Sequence, residues 1–474
     1  MKRLWTAAAL AAFFATSVFN VTRADVKLAS VFGDGMVIQR DRPVCVWGTA
    51  DINATVDVTL DGRHASAVAD IVGKWSATLP AGPAGGPFTL DVRSGSDSAS
   101  VRDVLRGDVW LCGGQSNMQM SLGDADGGKT LAADAAEHST LRLCKVARGG
   151  DDDRPKTNAE IKWTTATPDT AEKFSAVGYF FGDGLLKSPL LNSVPVGLIE
   201  SDLGGTLAEA WAPKEELAAI DPTTIGMSMF GVRPTSLYNG MIAPLGPVGL
   251  KGVVWYQGEG NASNPETYPA KLSAVIRGWR KQFDNAELPF LVVQLPDYLP
   301  DWGGVYWQWM RDAQREVADT TPHVGLVTAI GTNDGTDLHP KPKRAIGERA
   351  ALLARQTVYG EAIVGRGPVF EKIEVRGDRV TVTFKTDGST LTAADRNAVK
   401  GFVLAGDDGA YRPAVGTITG DRTVDVRSDG VPTPKTVRYA WAGVPDATLV
   451  NKEGLPAYPF RTDTLPVERI KEKK

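Results

Sequence analysis

Apolar residues follow two different spacings along the chain, and the changes between them divide it into three stretches. In residues 25–106, short alternating or apolar runs are separated by Gly, Asp and Pro, and the clearest runs lie at 44–47, 55–60 and 88–92. Such runs between turn residues are typical of β-strands, and no helical period appears. We therefore predict an N-terminal β domain of sandwich type in residues 25–106.

A different pattern begins at residue 107 and continues to about residue 360. Fully apolar runs, which suit strands buried on both faces, alternate there with segments of helical periodicity. The apolar runs lie at 109–112, 196–199, 252–256, 290–295 and 324–327, and the helical segments at 268–283, 306–319 and 343–359. This alternation predicts an α/β domain in residues 107–360, with a mostly parallel sheet covered by helices on both sides.

Two stretches depart from this pattern. Residues 122–174 are rich in Asp, Gly and Pro around one apolar run at 141–146, and we interpret them as an irregular insertion with one further strand. From residue 361 to 474, β-like runs return at 380–384, 401–404, 423–427 and 437–441. This last stretch is predicted to be a C-terminal β domain, also sandwich-like.

The N-terminus has the pattern of a secretory signal peptide. Lys2 and Arg3 precede an apolar stretch, and the small residues Thr22 and Ala24 suit the positions just before a cleavage site. A retained membrane anchor is the alternative, although the stretch is short for a membrane span. A signal peptide at 1–24 predicts a periplasmic or secreted protein that has no membrane contact after cleavage.

Composition argues against several functional classes. The chain has 474 residues and a net charge of −4, without a basic run outside its C-terminal tail, so no nucleic-acid partner is expected. None of the four histidines is paired with another at metal-ligand spacing, so we expect no metal site. Cys45, Cys112 and Cys144 allow at most one disulfide, and the apolar runs around the first two favour buried thiols.

The strongest chemical signal is a serine directly after a strand. Gly113 and Gly114 end the apolar run at 109–112, and Gln-Ser-Asn follows at once, so a tight turn presents Ser116 at the carboxyl end of the strand. Reactive groups of parallel α/β sheets collect at that edge. Ser116 is either a nucleophile, with its own N–H among the donors to an oxyanion, or an ordinary helix N-cap.

A serine nucleophile requires a base, and one histidine lies where such a base is needed. In the central stretch His138 belongs to the irregular segment and His323 precedes its strand. His339 follows the strand at 324–327, which brings it to the same sheet edge as Ser116. We therefore predict His339 as the general base. Hydrolysis by a serine nucleophile needs no cofactor, and we expect none.

A third group would orient this base. Asp337, two residues before His339, is our preferred candidate, and Asp334 is the alternative. Either carboxylate could instead cap the turn or the helix that begins near Pro342. A Ser–His pair without any carboxylate also remains open.

Two further turns follow strands at the predicted catalytic edge. The turn at 201–206 contains Gly205, whose backbone N–H could approach a substrate oxygen closely. The turn after the next strand carries Gln257, Glu259 and Asn261, and we predict Gln257 as an oxyanion donor. Each of these polar side chains could instead satisfy loop backbone.

Several motifs taken together resemble one known family. Gly-Gln-Ser-Asn-Met, Trp-Tyr-Gln-Gly-Glu-x-Asn-Ala and Asp-Leu-His-Pro are similar to the sialate O-acetylesterase family, a branch of the SGNH hydrolases. The resemblance covers nearly the whole mature chain and implies a flavodoxin-like three-layer domain between the two β domains. It implies hydrolysis of O-acetyl esters on carbohydrates, with Ser116 as nucleophile and His339 as base. The other positions that match the family site are Gly205, the turn at 257–261, Arg311 and Gln314.

Two departures from the family pattern bear on the site. Gly113 replaces a serine beside the nucleophile, which removes a side chain but leaves Ser116 in place. Thr336 stands where many SGNH hydrolases carry an Asp three residues before the base. The second departure leaves the orienting carboxylate open.

The resemblance leaves the acetylated sugar undefined. The family name indicates sialic acid, whose carboxylate favours an arginine in the pocket, and Arg311 is the candidate. An exported enzyme could equally act on plant polysaccharides such as xylan or xyloglucan. The alternative of another class is a non-catalytic carbohydrate-binding protein on a hydrolase scaffold. The presence of Ser116 together with His339 favours the esterase.

Overall fold

The computed structural model describes residues 25–467 except 134, 136–137, 150–152, 229–230, 300–304 and 395–397. The predicted signal peptide at 1–24 lies outside the described residues. In the part of the chain that is described, no helix combines the length and the apolar character needed to cross a membrane. Cys45, Cys112 and Cys144 are free thiols, and the last two are buried.

The first stretch forms β-strands that pack around alternating side chains. Its strands are β1 (Lys27–Leu28), β2 (Val37–Gln39), β3 (Val44–Thr49), β4 (Thr55–Leu60), β5 (Arg63–Val68), β6 (Lys74–Leu79), β7 (Gly85–Ser94) and β8 (Asp97–Gly114). Every second residue of β4 and β6 is buried, as the period of two requires for strands with one face in a core. Strand β8 runs without a break across the predicted boundary at 106/107 and continues into the central sheet.

The central sheet is mostly parallel. Its other strands are β9 (Leu141–Val146), β10 (Ile161–Thr165), β11 (Val196–Asp202), β12 (Gly252–Tyr256), β13 (Phe290–Val293) and β14 (Val324–Val327). They lie in the order β10-β9-β11-β8-β12-β13-β14, and only β10 runs antiparallel to its neighbour. The segment at 122–174 therefore contributes two strands to this sheet. That corrects the interpretation as an insertion with one strand, because β10 has only five residues and just one fully buried position to mark it.

Helices pack on the two faces of this sheet. They are α1 (Ser116–Gln119), α2 (Gly128–Ala133), α3 (Pro168–Glu172), α4 (Ala176–Leu186), α5 (Lys214–Leu217), α6 (Tyr268–Gln282), α7 (Trp307–Thr320) and α8 (Lys343–Thr357). Side chains of β8 alternate between two hydrophobic cores: Val109 and Leu111 join the core that includes α6 and α7, whereas Trp110 joins the core that includes α4 and α8. The predicted α/β class and its three long helices are confirmed.

The last stretch forms a further β unit with its own core. Its strands are β15 (Val369–Arg376), β16 (Arg379–Lys385), β17 (Leu391–Ala393), β18 (Val399–Ala405), β19 (Arg412–Gly420), β20 (Thr423–Arg427), β21 (Thr436–Tyr439), β22 (Leu449–Asn451) and β23 (Phe460–Arg461). Polar contacts join it to the central part: Tyr458 Oη donates to Leu326 O at 2.6 Å, and Arg461 Nε lies 2.9 Å from Asp312 Oδ2.

The register of the central strands determines which loops meet. Gly114, the last residue of β8, lies opposite Asp202 of β11 and Tyr256 of β12. The loops that follow these three strands therefore leave the sheet side by side. The catalytic edge, as we call the carboxyl ends of β8, β11, β12 and β14, carries every candidate identified from the sequence except Arg311 and Gln314, which lie on α7.

Candidate active site

The turn that presents Ser116 is held by close backbone packing. Gly114 has φ +145°, and a Cβ at this position would lie 2.1 Å from Tyr256 O, so only glycine fits. Gln115 then tethers the turn to the loop after β12, because its side-chain Oε1 accepts from the N–H of Gly260 at 3.1 Å. Ser116 follows as the first residue of α1, with its side chain partly exposed.

The base predicted from the sequence meets the serine directly. His339 Nε2 lies 2.8 Å from Ser116 Oγ, although 223 residues separate the two along the chain. The loop after β14 carries His339 to this position, and the imidazole is partly buried. The pair has the geometry in which an imidazole removes the hydroxyl proton of a nucleophilic serine.

Burial and charge determine the protonation of His339. Burial lowers the pKa of its imidazole, the positive charge of Lys343 lowers it further, and the negative charge of Asp337 acts in the opposite direction. An imidazole with a lowered pKa is neutral near pH 7, and the neutral form is the one that accepts a proton. The electrostatics of the site therefore agree with a general base.

Backbone N–H groups next to Ser116 are available to a developing oxyanion. A Cβ on Gly204 would lie 3.3 Å from the Ser116 Cβ, which shows how closely this turn approaches the nucleophile. Gly205 follows with φ +71°. Among the described residues, neither the N–H of Gly205 nor that of Ser116 donates to an acceptor. These two donors fit the predicted oxyanion hole.

The predicted oxyanion role of Gln257 is corrected by its hydrogen bonds. The side chain is fully buried, and its Nε2 donates to Thr206 O at 3.0 Å and to Asn261 Oδ1 at 2.8 Å. Its Oε1 accepts from Tyr268 Oη at 3.0 Å. Both amide hydrogens are therefore used inside the protein, and Gln257 holds the turn at 201–206 through Thr206 O.

Asn261 is part of the same buried support. Its Nδ2 donates to Glu209 Oε2 at 2.8 Å, and its Oδ1 accepts from the N–H of Ala208 at 3.0 Å. The expectation that Asn261 lines the site is corrected, because its amide is occupied by the loop that follows β11. The amide groups of Gln257 and Asn261 thus bind other loops of the catalytic edge and do not face a substrate.

Arg311 and Gln314 are likewise structural. The Arg311 guanidinium is fully buried and donates to four backbone carbonyls, two of which, Ala442 O and Gly443 O, belong to the C-terminal β unit. Gln314 donates to Gln257 O and accepts from the N–H of Leu295, both at 3.0 Å. The expectation that they line the site is corrected, because their polar atoms are used within the protein.

The two candidate carboxylates bond to backbone and hydroxyl groups. Asp337 Oδ1 accepts from the backbone N–H of His339 at 2.8 Å, and no hydrogen bond or ion pair joins Asp337 to the imidazole. Asp334 Oδ1 accepts from the N–H and the hydroxyl of Thr336. The predicted role of Asp337 is corrected from orienting the ring to shaping the loop that carries it. Its charge still acts on His339 through space.

Three residues of the site were missed from the sequence. Gln119, at the end of α1, accepts from the N–H of Gly204 at 3.0 Å through Oε1 and so fixes the glycine turn against the nucleophile. Asn117 and Lys343 form a buried hydrogen-bonded pair directly beside Ser116. Asn117 lies within the nucleophile motif and Gln119 directly after it, which is a signal for both, whereas Lys343 has the pattern of a first-turn residue of an ordinary helix.

Glu259 joins this pair from the loop after β12. Its Oε1 accepts from Asn117 Nδ2 at 2.5 Å, and its buried Oε2 has no hydrogen-bond partner among the described residues. Burial raises the pKa of this carboxyl, and the nearby Lys343 and the hydrogen bond from Asn117 lower it. Glu259 therefore bonds to the residue that directly follows Ser116. In the described part of the chain, no group of three His, Cys, Asp or Glu side chains is arranged to hold a metal ion.

Comparisons with known proteins show which family this chain is similar to. A family model described as carbohydrate esterase, sialic acid-specific acetylesterase matches residues 106–356, a range that includes Ser116 and His339. The sialate O-acetylesterase of Rattus norvegicus is 28% identical over 92% of this chain and 94% of its own, and that of Pongo abelii 30% identical over 74% of each. A solved carbohydrate acetylesterase from Xanthomonas citri is 40% identical, with a TM-score of 0.85 over 93% of this chain and 100% of its own.

Proposed function

Since the chain belongs to the carbohydrate esterase, sialic acid-specific acetylesterase family and is a carboxylic ester hydrolase, we propose that it removes O-acetyl groups from carbohydrates through an acetyl-Ser116 intermediate. The observation that carries the mechanism is the 2.8 Å contact between Ser116 Oγ and His339 Nε2. A catalytic serine and its base at hydrogen-bonding distance are the requirement for acyl transfer.

The reaction proceeds in two displacements. His339 Nε2 takes the Ser116 proton while Oγ attacks the acetyl carbonyl, and the oxyanion is stabilised by the N–H groups of Ser116 and Gly205. The imidazolium then gives its proton to the sugar oxygen as the C–O bond breaks. Water, deprotonated by His339, attacks the acetyl carbon, and acetate leaves with regeneration of the Ser116 hydroxyl.

We propose that this chemistry resides in a domain of the SGNH hydrolase type between two sandwich-like β domains. The parallel central sheet with helices on both faces supports that assignment.

We further propose that the signal peptide at 1–24 directs the enzyme to the periplasm or the medium. Mass spectrometry of the exported protein should show an N-terminus at residue 25, and a retained residue 1 on exported protein would contradict cleavage.

Two classes of acetylated carbohydrate are candidates for the substrate. The relatives named sialate O-acetylesterase support an acetylated sialoglycan. The burial of Arg311 favours the second class, a plant polysaccharide such as xylan or xyloglucan, because it removes the cation that we expected to bind a sialate carboxylate. Acetate release from the three substrates, measured side by side, separates the two classes.

The mechanism is tested by Ser116→Ala. We expect the variant to lose acetate release from a chromogenic acetyl ester, because no other group attacks the carbonyl. Ser121→Ala is the matched control, since Ser121 Oγ lies in a neighbouring turn and donates to Asp124 at 2.6 Å. Turnover near the native rate in Ser116→Ala would disprove the mechanism. Polysaccharide binding without acetate release by the unmodified protein would indicate the non-catalytic alternative.

A further inference from the structure

Lys343 occupies an unusual place for a lysine. It is the first residue of α8, its side chain is fully buried, and it lies at the helix end whose dipole disfavours a cation. Burial lowers the pKa of its ammonium to about 7, against the opposing effect of the charges of Glu259 and Asp337. A buried cation in such a position is unfavourable for stability unless specific partners compensate it.

The partner of Lys343 leads to both members of the reacting pair. Its Nζ donates to Asn117 Oδ1, and Asn117 directly follows Ser116. Asn117 Nδ2 donates to Leu338 O at 3.0 Å, and Leu338 directly precedes His339. Every polar atom of the Asn117 amide is therefore engaged, and the contact with Lys343 fixes which end of that amide faces the base loop.

Lys343 also acts on the base through its charge. Two charged groups act on His339: Asp337, from the same loop, and Lys343, from α8. On the other side, Lys343 faces Glu259 from the loop after β12 and lies 5.6 Å from the ring centroid of Tyr256. The positive charge of Lys343 opposes protonation of His339, whereas the negative charge of Asp337 favours it.

We propose that Lys343 is a positioning residue: it holds Asn117 between nucleophile and base, and its charge favours proton transfer from His339 to the leaving sugar. This role rests on the proposed acyl transfer. A sugar alkoxide is a poor leaving group and must be protonated as it departs, so a more acidic imidazolium accelerates its release. The lysine thus favours esters of sugar alcohols over esters of acidic phenols.

Two variants separate the charge of Lys343 from its hydrogen bond. Lys343→Gln keeps an N–H donor for Asn117 without the charge, and Lys343→Met removes both at similar length. Without the charge, the pKa of His339 rises, so the acid limb of kcat/KM moves to higher pH by roughly 1 unit in both variants. Below about pH 7, where Lys343 carries its charge, deacetylation of a sugar acetate falls about 10-fold more than that of 4-nitrophenyl acetate, whose leaving group needs no proton.

A purely structural lysine predicts a different result. It would lower both activities equally and leave the acid limb where it is, and that outcome overturns the proposal. If both variants fail to fold, the pKa of His339 measured by NMR in the unmodified protein decides, with His339→Asn for assignment. A value at or above the ordinary 6.5 for histidine overturns the proposal, because burial and the charge of Lys343 both lower it. Failure of the acyl-transfer mechanism itself would appear separately, as activity in Ser116→Ala.

Discussion

The loops after β8 and β12 lie side by side at the catalytic edge, yet their polar side chains have opposite roles. After β8, the Ser116 hydroxyl is partly exposed and bonds only to the base, and the backbone N–H of the same residue is unused among the described residues. After β12, Gln257 and Asn261 are buried, and their amide groups are occupied by protein partners. The loop after β8 presents the candidate reactive groups, and the loop after β12 holds the catalytic edge in place.

This difference shows what position at a sheet edge does and does not imply. A group can serve a substrate only if its hydrogen-bonding capacity is not already used inside the protein. Gln257 and Ser116 are close in space through the register of β8 with β12, but only Ser116 retains free capacity. Position at the sheet edge identifies candidate residues, and the hydrogen bonds they already make show which of them can still bind a substrate.

The largest effect is expected where the exposed pair is broken. His339→Gln removes the proposed base for the Ser116 proton, and we expect a loss of about 10⁴-fold or more in kcat with little change in KM. Steady-state kinetics with a chromogenic acetyl ester measures both constants. His323→Gln is the control, because that side chain lies 3.9 Å from Glu287 at the opposite end of β14. A loss below 10-fold in His339→Gln would remove this histidine from the reaction.

A smaller effect is expected from loosening the glycine turn. Gln119→Met deletes the acceptor of the Gly204 N–H, so the neighbouring Gly205 donor is no longer held at the oxyanion. We expect kcat to fall about 10- to 100-fold, less than for the loss of a whole oxyanion donor. Gln119→Glu keeps an acceptor oxygen and should restore part of the rate. Equal rates for Gln119→Met and the unmodified enzyme would show that α1 does not position this turn.

A still smaller effect is expected at Asp337. Asp337→Asn retains an oxygen that can accept from the N–H of His339 but loses the charge that raises the pKa of the imidazole. The pKa of His339 therefore falls, and the acid limb of kcat/KM moves to lower pH, opposite to the shift expected for Lys343→Gln. At neutral pH we expect a loss of about 10-fold or less. A loss near 10⁴-fold would mean that the carboxylate holds the ring after all.

The smallest effect on rate is expected in the buried loop. Gln257→Leu removes the amide donor to Thr206 O and to Asn261 Oδ1, so we expect a decrease of about 1–3 kcal/mol in the free energy of unfolding. Because Gln257 does not face the substrate, kcat of the folded variant should remain within about 10-fold of native. Chemical denaturation and kinetics on the same sample measure both. A larger kcat defect at unchanged stability would return Gln257 to the oxyanion hole.

Much of the fold and the reacting pair follows from the order of residues. The apolar run at 252–256 predicts strand β12 at its observed bounds, because a strand buried on both faces needs continuous apolar residues. The run at 324–327 likewise matches β14, although this strand lies at the end of the sheet and is only partly buried. The rule that loops after parallel strands share an edge was enough to bring Ser116 and His339 together. Strand β10, with few buried positions, had no comparable signal.

The sequence alone therefore determined the alternation of strands and helices, the sheet edge at which the candidate residues collect, and the choice of Ser116 and His339 as the candidate pair. Only the tertiary structure decided which neighbouring polar groups are free. Gln257, Asn261 and Arg311 have the residue types of a binding site, but their partners come from Thr206, Glu209 and Ala442, at distant positions in the chain. Hydrogen bonds between distant segments depend on distances and angles that no local pattern encodes, and the burial of Lys343 beside Asn117 depends on them in the same way.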